Sequence, residues 1–222
     1  MMPMFIVLNI LMTATIVLAF LWAPSAEILG HSSRIIYFHV PVAWVSVLAF
    51  AVSGIMSIIY LRDRNTKYKL IEEKAHASAS IGLVFTVITI ISGSIWAKIS
   101  WGSFWNWDPR ERTIVVLLLI YIAYFILRAA LGDSPEKRRI SSAYLVFTMA
   151  VMPFFVFVIP RMYDTLHPDT IINTDRKIKL ATEMRLVLLL GALSFTALYI
   201  NLYRISVRII SLRKTIEEDD DE

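Results

Sequence analysis

Three of the chain's six tryptophans lie close together, at Trp101, Trp105 and Trp107. Trp96 precedes them, and Asp108 follows them directly. Each ring is flat, largely apolar and electron-rich, and carries an N–H that needs a partner when it is buried. Tryptophan is also common where a membrane-spanning segment meets water, and that ordinary role accounts for single tryptophans. Three of them beside an acid and two arginines favour another interpretation, a shelf for a large planar ligand.

Two histidines from distant parts of the chain, His39 and His167, could approach such a ligand from opposite sides. Imidazole is a common axial ligand of haem iron. A guanidinium group pairs well with carboxylates such as the propionates of a porphyrin, and Arg34 and Arg110 are the candidates for this pairing. The sequence therefore favours a haem b site, with His39 and His167 as candidate ligands of the iron. The chain has no cysteine, which excludes a thioether link between haem and this chain.

The four histidines differ as candidate ligands. A histidine beside a membrane helix is more often an interfacial polar residue than a ligand, so His39 stands out only in combination with His167 and the tryptophans. His31 lies shortly before His39 and is a spare candidate. His76 lies among charged residues at the start of an apolar run, and we expect it to be solvated.

The acid and the tryptophans also have simpler explanations. Asp108 suits the N-cap of a helix, with Pro109 in the first turn and Glu111 completing a capping box. Capping explains Asp108 fully, so a further role for its carboxylate stays open. The spacing of Trp101 and Trp105 places both on one face if the segment is helical, which also fits a short amphipathic helix lying on the membrane surface.

The composition indicates an integral membrane protein. Of the 222 residues, 57% are hydrophobic and 18% are charged. Several apolar runs reach the ~20 residues that cross a bilayer. The net charge of +4 does not indicate nucleic-acid binding, because the basic residues cluster beside the apolar runs. We expect one membrane domain and no nucleic-acid partner.

Six apolar runs predict an all-α bundle of six transmembrane helices. The first run is too long for a signal peptide and lacks a basic start. We expect the second helix to begin at Pro41 and the fifth to bend at Pro153. The acidic residues 217–222 should form a disordered tail, which leaves residues 1–216 as a single domain. The predicted helices cover approximately residues 4–22, 41–61, 77–98, 108–130, 140–159 and 184–203.

The distribution of lysine and arginine predicts on which side of the membrane each helix end lies. Lysine and arginine are more frequent after the second and fourth helices and in the C-terminal segment than in the other loops. The positive-inside rule then puts both termini in the cytoplasm. The tryptophan-rich segment between the third and fourth helices, His39 and His167 would all lie on the outer face of the plasma (inner) membrane.

The sequence resembles the cytochrome c assembly family of haem-handling membrane proteins. Residues 101–108 match its tryptophan-rich signature, Trp-Gly-x-x-Trp-x-Trp-Asp. Residues 34–41 match an Arg-to-His-Val-Pro pattern, and residues 165–168 resemble the second external histidine motif. Phe104 keeps the aromatic character of the signature. The six-helix prediction and the length are similar to those of the system I members.

The resemblance implies that haem is bound on the outer face and then delivered to a membrane-anchored haem chaperone. It implies His39 and His167 as the iron ligands. The implied partners are an ABC-transporter-like ATPase, its membrane subunit and a small single-helix subunit. The further residues implied in cofactor binding are Trp101, Gly102, Trp105, Trp107, Asp108, Arg34 and Arg110.

Two other functions stay open. Residues 108–111 also resemble the larger system II synthase, which forms thioether bonds and has more helices. A transporter of another substrate should carry ionisable residues in mid-helix, whereas the helix interiors here offer little beyond serine, threonine and Asn9. We find no nucleophile–base pair or phosphate-binding loop, so we do not expect an enzyme, and any ATPase activity would come from a partner.

Overall fold

A computed structural model describes residues 2–27, 29–62, 69–132, 134, 136–168 and 179–220. Across these residues the regular structure is helical, and six segments are long and apolar enough to cross a membrane. The predicted fold class is therefore confirmed. The helices are α1 (Met2–Leu21), α2 (Ile36–Arg62), α3 (Lys69–Trp101), α4 (Pro109–Ala130), α5 (Lys137–Pro153) and α6 (Thr182–Asp220).

Helix α2 lies at the centre of the bundle and packs against α3, α5 and α6, while α1 packs on α6. The ring of Phe50 in α2 stacks on Tyr121 in α4 at a centroid distance of 3.4 Å. This core lies on one side of α2, and a second core around Val45 and Tyr199 joins α2 to α6. The other faces of the helices carry exposed apolar side chains, as expected of a bundle surrounded by lipid.

Helix α2 begins before Pro41, which corrects the predicted start. A 3-10 turn, His31–Ile35, leads directly into α2 at Ile36. The apolar residues that precede Pro41 continue the helix, and the proline lies inside it. His39 therefore belongs to the first turns of a helix rather than to a loop, which fixes the position of its side chain.

Helix α3 also begins earlier than predicted, at Lys69, and a charged residue of its first turn is buried in an ion pair. Glu72 is buried and forms a bidentate ion pair with Arg128 of α4. His76 lies one turn further, and its Nδ1 is 3.0 Å from the hydroxyl oxygen of Tyr124. The prediction that His76 is a solvated surface histidine is wrong, since it belongs to this contact between α3 and α4.

The fifth transmembrane segment is broken where proline was expected to bend it. Helix α5 ends at Pro153 and continues as a π-helical segment, Phe154–Val158, and a 3-10 turn, Ile159–Arg161. A π-helical segment widens the helix by one residue per turn and is frequent at functional sites. Here it supplies part of the wall of the cavity described below.

Helix α6 is much longer than predicted and extends to Asp220. It includes residues 217–220, where the sequence predicts a disordered acidic tail, and residues 221 and 222 lie outside the described residues. Glutamate is a good helix former, and adding residues to an existing helix avoids the cost of nucleation. The division into a membrane domain and a separate tail stays a prediction.

Candidate functional site

A cavity of about 550 Å³ lies at the end of the bundle where α3 gives way to α4. Its walls come from α2, α3, α4, the π-helical segment and the start of α6, and they are mainly apolar. His39 and His167 both line it, together with Trp96, Trp105 and Arg110. A mainly apolar pocket with a few convergent polar groups, in this range of volume, is typical of a site for an organic ligand.

His39 enters the cavity from α2 and is oriented by α3. Its Nδ1 lies 2.9 Å from Oγ of Ser92. The Ser92 hydroxyl donates its own hydrogen to the carbonyl of Ile88 at 2.8 Å, so its oxygen accepts from His39. This arrangement favours the tautomer of His39 that carries the hydrogen on Nδ1 and the lone pair on Nε2. Gly93 makes room for the ring, since a Cβ there would lie 3.0 Å from Cε1 of His39.

His167 reaches the same cavity from the segment between α5 and α6, and Asp108 orients it. The distance from Nδ1 of His167 to Oδ1 of Asp108 is 2.8 Å. A carboxylate only accepts hydrogen bonds, so Nδ1 of His167 donates and Nε2 keeps the lone pair. The two histidines therefore share one tautomer. A ring whose Nδ1–H is held by an oxygen is the usual arrangement of a histidine that binds a metal through Nε2.

Asp108 has two structural roles at once. As the N-cap of α4 it accepts from the backbone N–H of Arg110 at 2.9 Å, and Glu111 completes the capping box. Its second oxygen, Oδ2, accepts from the hydroxyl of Thr165 at 2.8 Å and from the backbone N–H of Leu166 at 2.7 Å. The predicted cap is confirmed, and the open question of a further role has an answer: the same carboxylate fixes the segment that carries His167.

Burial and hydrogen bonding set the charge states of this pair. Burial raises the pKa of Asp108, but the hydrogen bonds from Arg110, Thr165 and Leu166 and the nearby His167 outweigh it, so the pKa lies below its usual 3.8. Burial lowers the pKa of His167 below 6.5, and the Asp108 carboxylate only partly opposes this. At neutral pH Asp108 is charged and His167 is neutral, which is the form of histidine that binds a metal.

The aromatic residues are not a single flat shelf. Trp96 is buried, contacts Trp101 edge to face at 4.8 Å between ring centroids, and lines the cavity. Trp101 in turn contacts the ring of His167 edge to face at 4.8 Å. Trp105 lines the cavity, whereas Trp107 is 70% exposed and is not part of the lining. Trp96 and Trp105 thus form part of the cavity wall, Trp101 supports His167, and Trp107 lies on the surface.

The backbone explains why the segment is not the amphipathic helix that the spacing allowed. Helix α3 ends at Trp101, and the residues up to Asp108 are not helical. Gly102 has φ of +83°, a left-handed conformation that glycine adopts easily and that ends helices. Trp107 also has a positive φ, +57°, which is strained for a side-chain-bearing residue. The interpretation of Trp101 and Trp105 as one helical face is therefore wrong.

The arginines are placed differently from one another. Arg110 lines the cavity beside Glu111. Arg34 is not part of the lining, and its guanidinium carbon lies 5.8 Å from the ring centroid of Phe20. Arg161, which was not among the predicted site residues, lines the cavity instead. The cavity therefore pairs an apolar interior with two cationic side chains, which fits a planar apolar ligand that carries carboxylates.

The remaining candidates and the missed residues complete the site. His31 is exposed, does not line the cavity and lies 3.3 Å from Oγ of Ser25 through its Nδ1. Trp96, Ser92 and Thr165 were not predicted as site residues. Trp96 could have been found from its place next to the other tryptophans, and Thr165 from the histidine motif at residues 165–168. Ser92 gives no signal in the sequence, because its role depends on which helix packs beside it.

These features define a multi-pass membrane protein with a mainly apolar cavity at one end, lined by two histidines. A family model described as heme exporter protein C matches residues 1–221. The chain is 30% identical to the heme exporter protein C of Bradyrhizobium diazoefficiens over 195 residues, which are 87% of this chain and 72% of the relative. It is 29% identical to that of Haemophilus influenzae, over 96% of this chain and 85% of the relative.

A plant relative is similar as well. The putative cytochrome c biosynthesis ccmC-like mitochondrial protein of Marchantia polymorpha is 30% identical over 83% of this chain and 77% of its own length. The match to the family model extends over nearly the whole chain. The chain therefore belongs to the heme exporter protein C family.

Proposed function

We propose that this protein binds haem b in the cavity, with His39 and His167 on opposite sides of the iron, and passes it on for the biogenesis of c-type cytochromes. The observation that carries the proposal is the hydrogen bonding of the two histidines, because Nδ1 of each ring contacts an oxygen and Nε2 is left for the iron. Nδ1 of His39 faces the Ser92 hydroxyl of α3, Nδ1 of His167 donates to the Asp108 carboxylate at the start of α4, and both rings line the same cavity. Two neutral imidazoles whose Nε2 lone pairs are available suit the two axial positions of haem iron.

The walls fit the rest of the ligand. Trp96 and Trp105 offer ring surface to a porphyrin, and the carboxylates of the ligand can pair with Arg110 and Arg161. The relatives are named as heme exporters, and the Marchantia relative is named for cytochrome c biosynthesis. Haem is the cargo here, so the protein handles and transfers it rather than catalysing a reaction on it.

The proposal includes a direction and a set of partners. Both termini would face the cytoplasm and the cavity would face the outside of the plasma membrane, where a membrane-anchored haem chaperone receives the haem. An ABC-transporter-like ATPase, its membrane subunit and a small single-helix subunit would complete the assembly. The positions of lysine and arginine support this orientation. Reporter fusions after Ser103 should report the outer side and fusions after Gly132 the cytoplasm, and the reverse result would contradict the orientation.

A transfer assay tests the function itself. Haem-loaded full-length protein in lipid nanodiscs is mixed with purified haem chaperone or with an unrelated protein that binds haem. We expect haem to reach the chaperone faster than its spontaneous loss to the unrelated acceptor. Equal rates to the two acceptors would mean that the protein only binds haem and has no role in delivery.

A further inference from the structure

Glu111 supplies the second carboxylate at the start of α4, and it lines the same cavity as His39 and His167. Its Oε2 accepts the backbone N–H of Asn106 at 2.8 Å and the backbone N–H of Asp108 at 3.1 Å. The bond to Asp108 is the capping-box contact, and the bond to Asn106 reaches into the non-helical residues before α4. Glu111 therefore fixes the end of the tryptophan-rich segment as well as the start of the helix.

A chain of hydrogen bonds connects Glu111 to His167. Oε2 of Glu111 holds the backbone of Asp108, and Oδ1 of Asp108 accepts from Nδ1 of His167 at 2.8 Å. His167 is one of the two proposed ligands of the iron. Groups that hold the hydrogen-bond partner of a metal ligand influence the orientation and the basicity of that ligand. Glu111 is thus connected to the iron site through Asp108.

The capping box does not account for the whole carboxylate of Glu111. A capping box needs a single oxygen at this position, and glutamine also supplies one. The other oxygen of Glu111, Oε1, is buried and has no hydrogen-bond partner among the residues that the structure describes. Burying an anionic oxygen without a donor costs more than burying a neutral amide oxygen. The negative charge is therefore the property of Glu111 that capping leaves unexplained.

The charge of Glu111 acts on His167. Burial lowers the pKa of the His167 ring, the carboxylates of Asp108 and Glu111 raise it, and Arg110 lowers it. Two carboxylates against one guanidinium leave a net negative charge from these three side chains beside the ring. Because Oε1 of Glu111 is shielded from solvent, water screens this charge less than it would screen a charge on the surface.

The charge at the centre of a haem depends on the oxidation state of the iron. A ferric porphyrin with two neutral imidazole ligands carries a single positive charge at its centre, and the ferrous form carries none. A negative charge beside an axial ligand therefore stabilises the ferric form more than the ferrous form, and it acts strongly where the surroundings are a poor dielectric. Such a charge lowers the midpoint potential of the bound haem.

We propose that Glu111 is a positioning residue of the haem site, and that its negative charge lowers the midpoint potential of the iron held by His167. Glu111 holds the backbone of Asp108 in place and adds a second negative charge beside the ring that Asp108 orients. This role depends on the proposed binding of haem between His39 and His167. It goes beyond the capping box, which does not require a charge at this position.

Redox titration of the haem-loaded, full-length protein in nanodiscs tests the proposal. Glu111→Gln keeps an oxygen that can complete the capping box and removes the charge. We expect its affinity for ferric haem to fall about tenfold more than its affinity for ferrous haem, because only the ferric centre loses a charge interaction. A tenfold ratio equals ~59 mV for one electron, so the midpoint potential should rise by that amount.

Two further variants separate the charge from the cap. Glu111→Asp keeps the charge, but its shorter side chain weakens the capping box. It should lower the affinity for ferric and ferrous haem alike and leave the midpoint potential near the wild-type value. Glu27→Gln removes a carboxylate from an exposed position next to Ala26, which lines the cavity. Water screens a charge there, so this matched variant should leave the potential unchanged.

Four results would overturn the proposal. A haem-loaded Glu111→Gln protein with the wild-type potential would show that Glu111 only caps α4. Equal shifts in Glu111→Gln and Glu111→Asp would assign the effect to a disturbed cap. Loss of both forms of haem from inserted Glu111→Gln would make Glu111 part of the binding site itself. Haem binding that needs neither His39 nor His167 would contradict the proposed function together with this role, whereas the first three results contradict the role of Glu111 alone.

Discussion

Oδ1 of Asp108 accepts a hydrogen bond from Nδ1 of His167 at 2.8 Å, while the same carboxylate caps α4. The bond joins the end of the tryptophan-rich segment to a histidine that follows it by nearly sixty residues in the chain. It fixes both the direction of the ring and the nitrogen that carries the hydrogen. The position of His167 in the cavity therefore depends on where α4 begins.

Replacement of Asp108 separates the two roles of its carboxylate. Asparagine is about as good an N-cap as aspartate, so Asp108→Asn should leave α4 and membrane insertion intact. Its amide nitrogen cannot accept, yet both carboxylate oxygens accept two hydrogen bonds each in the structure. One pair of donors is left without an acceptor. We expect haem affinity to fall about 10–100-fold, as for other residues that orient a metal ligand.

Haem titration of purified Asp108→Asn measures this loss, and Asp108→Ala serves as the comparison. The alanine variant should also lose about 1 kcal/mol of helix stability, because the cap itself is gone. Haem affinity of Asp108→Asn equal to that of the wild type would show that Asp108 is only a cap.

The space beside His39 gives a second prediction. A methyl group at position 93 would approach Cε1 of the His39 ring to 3.0 Å, so the ring must move or tilt. Gly93→Ala should therefore lower haem affinity without reducing the amount of inserted protein. In a His39→Ala background the same substitution should have no effect, because the ring that it displaces is absent. An equal loss in both backgrounds would mean that Gly93 acts through helix packing and not through His39.

The tryptophans should differ in their effects, because only some of them line the cavity. Trp96→Leu and Trp105→Leu remove ring surface from the cavity wall and should lower haem retention per inserted protein. Trp101→Leu should act more weakly, through the lost edge contact to His167. Trp107→Leu is the matched control, since its ring is exposed and lies outside the lining. If all four variants retain haem like the wild type, the tryptophans only anchor the membrane edge.

The pH dependence of His167 follows from its environment. Burial lowers its pKa below the ordinary 6.5, so the ring stays neutral to lower pH than an ordinary histidine. The pKa of Asp108 is lowered below 3.8, so its carboxylate stays charged throughout this range. A nuclear magnetic resonance titration of the haem-free protein should give a midpoint below 6.5 for His167. Asp108→Asn should lower that midpoint further, because the carboxylate raises it; a midpoint above 6.5 in the wild type would contradict the burial of the ring.

The local features of this chain could be predicted from sequence, and the contacts between elements could not. The cap at Asp108, the break at Pro153 and the six apolar runs depend on neighbouring residues, and the structure agrees with them. The surroundings of His76 depend on Tyr124 in another helix, so its charged neighbours in the sequence were misleading. Ser92 could not be predicted for the same reason. The chain has many serines, and only the packing of α2 on α3 brings this one against His39.

The tryptophans also were predicted correctly as a cluster but not in their arrangement. Their clustering next to an acid indicated a binding segment, and the spacing of Trp101 and Trp105 then suggested one helical face. Helix α3 ends at Trp101 instead, and the left-handed backbone at Gly102 lies between Trp101 and Trp105. A spacing argument holds only while the helix continues, and Gly102, which follows Trp101 directly, is the sign in the sequence that α3 ends there.

The absorbance spectrum of the haem-loaded protein tests the two-histidine site most directly. Wild-type protein should give the spectrum of six-coordinate haem with two imidazole ligands. His39→Ala and His167→Ala should each give five-coordinate haem or lose it, whereas His31→Ala, on the same side of the bundle, should match the wild type. If His39→Ala and His167→Ala also give the wild-type spectrum, the iron is held elsewhere and the proposed site is wrong.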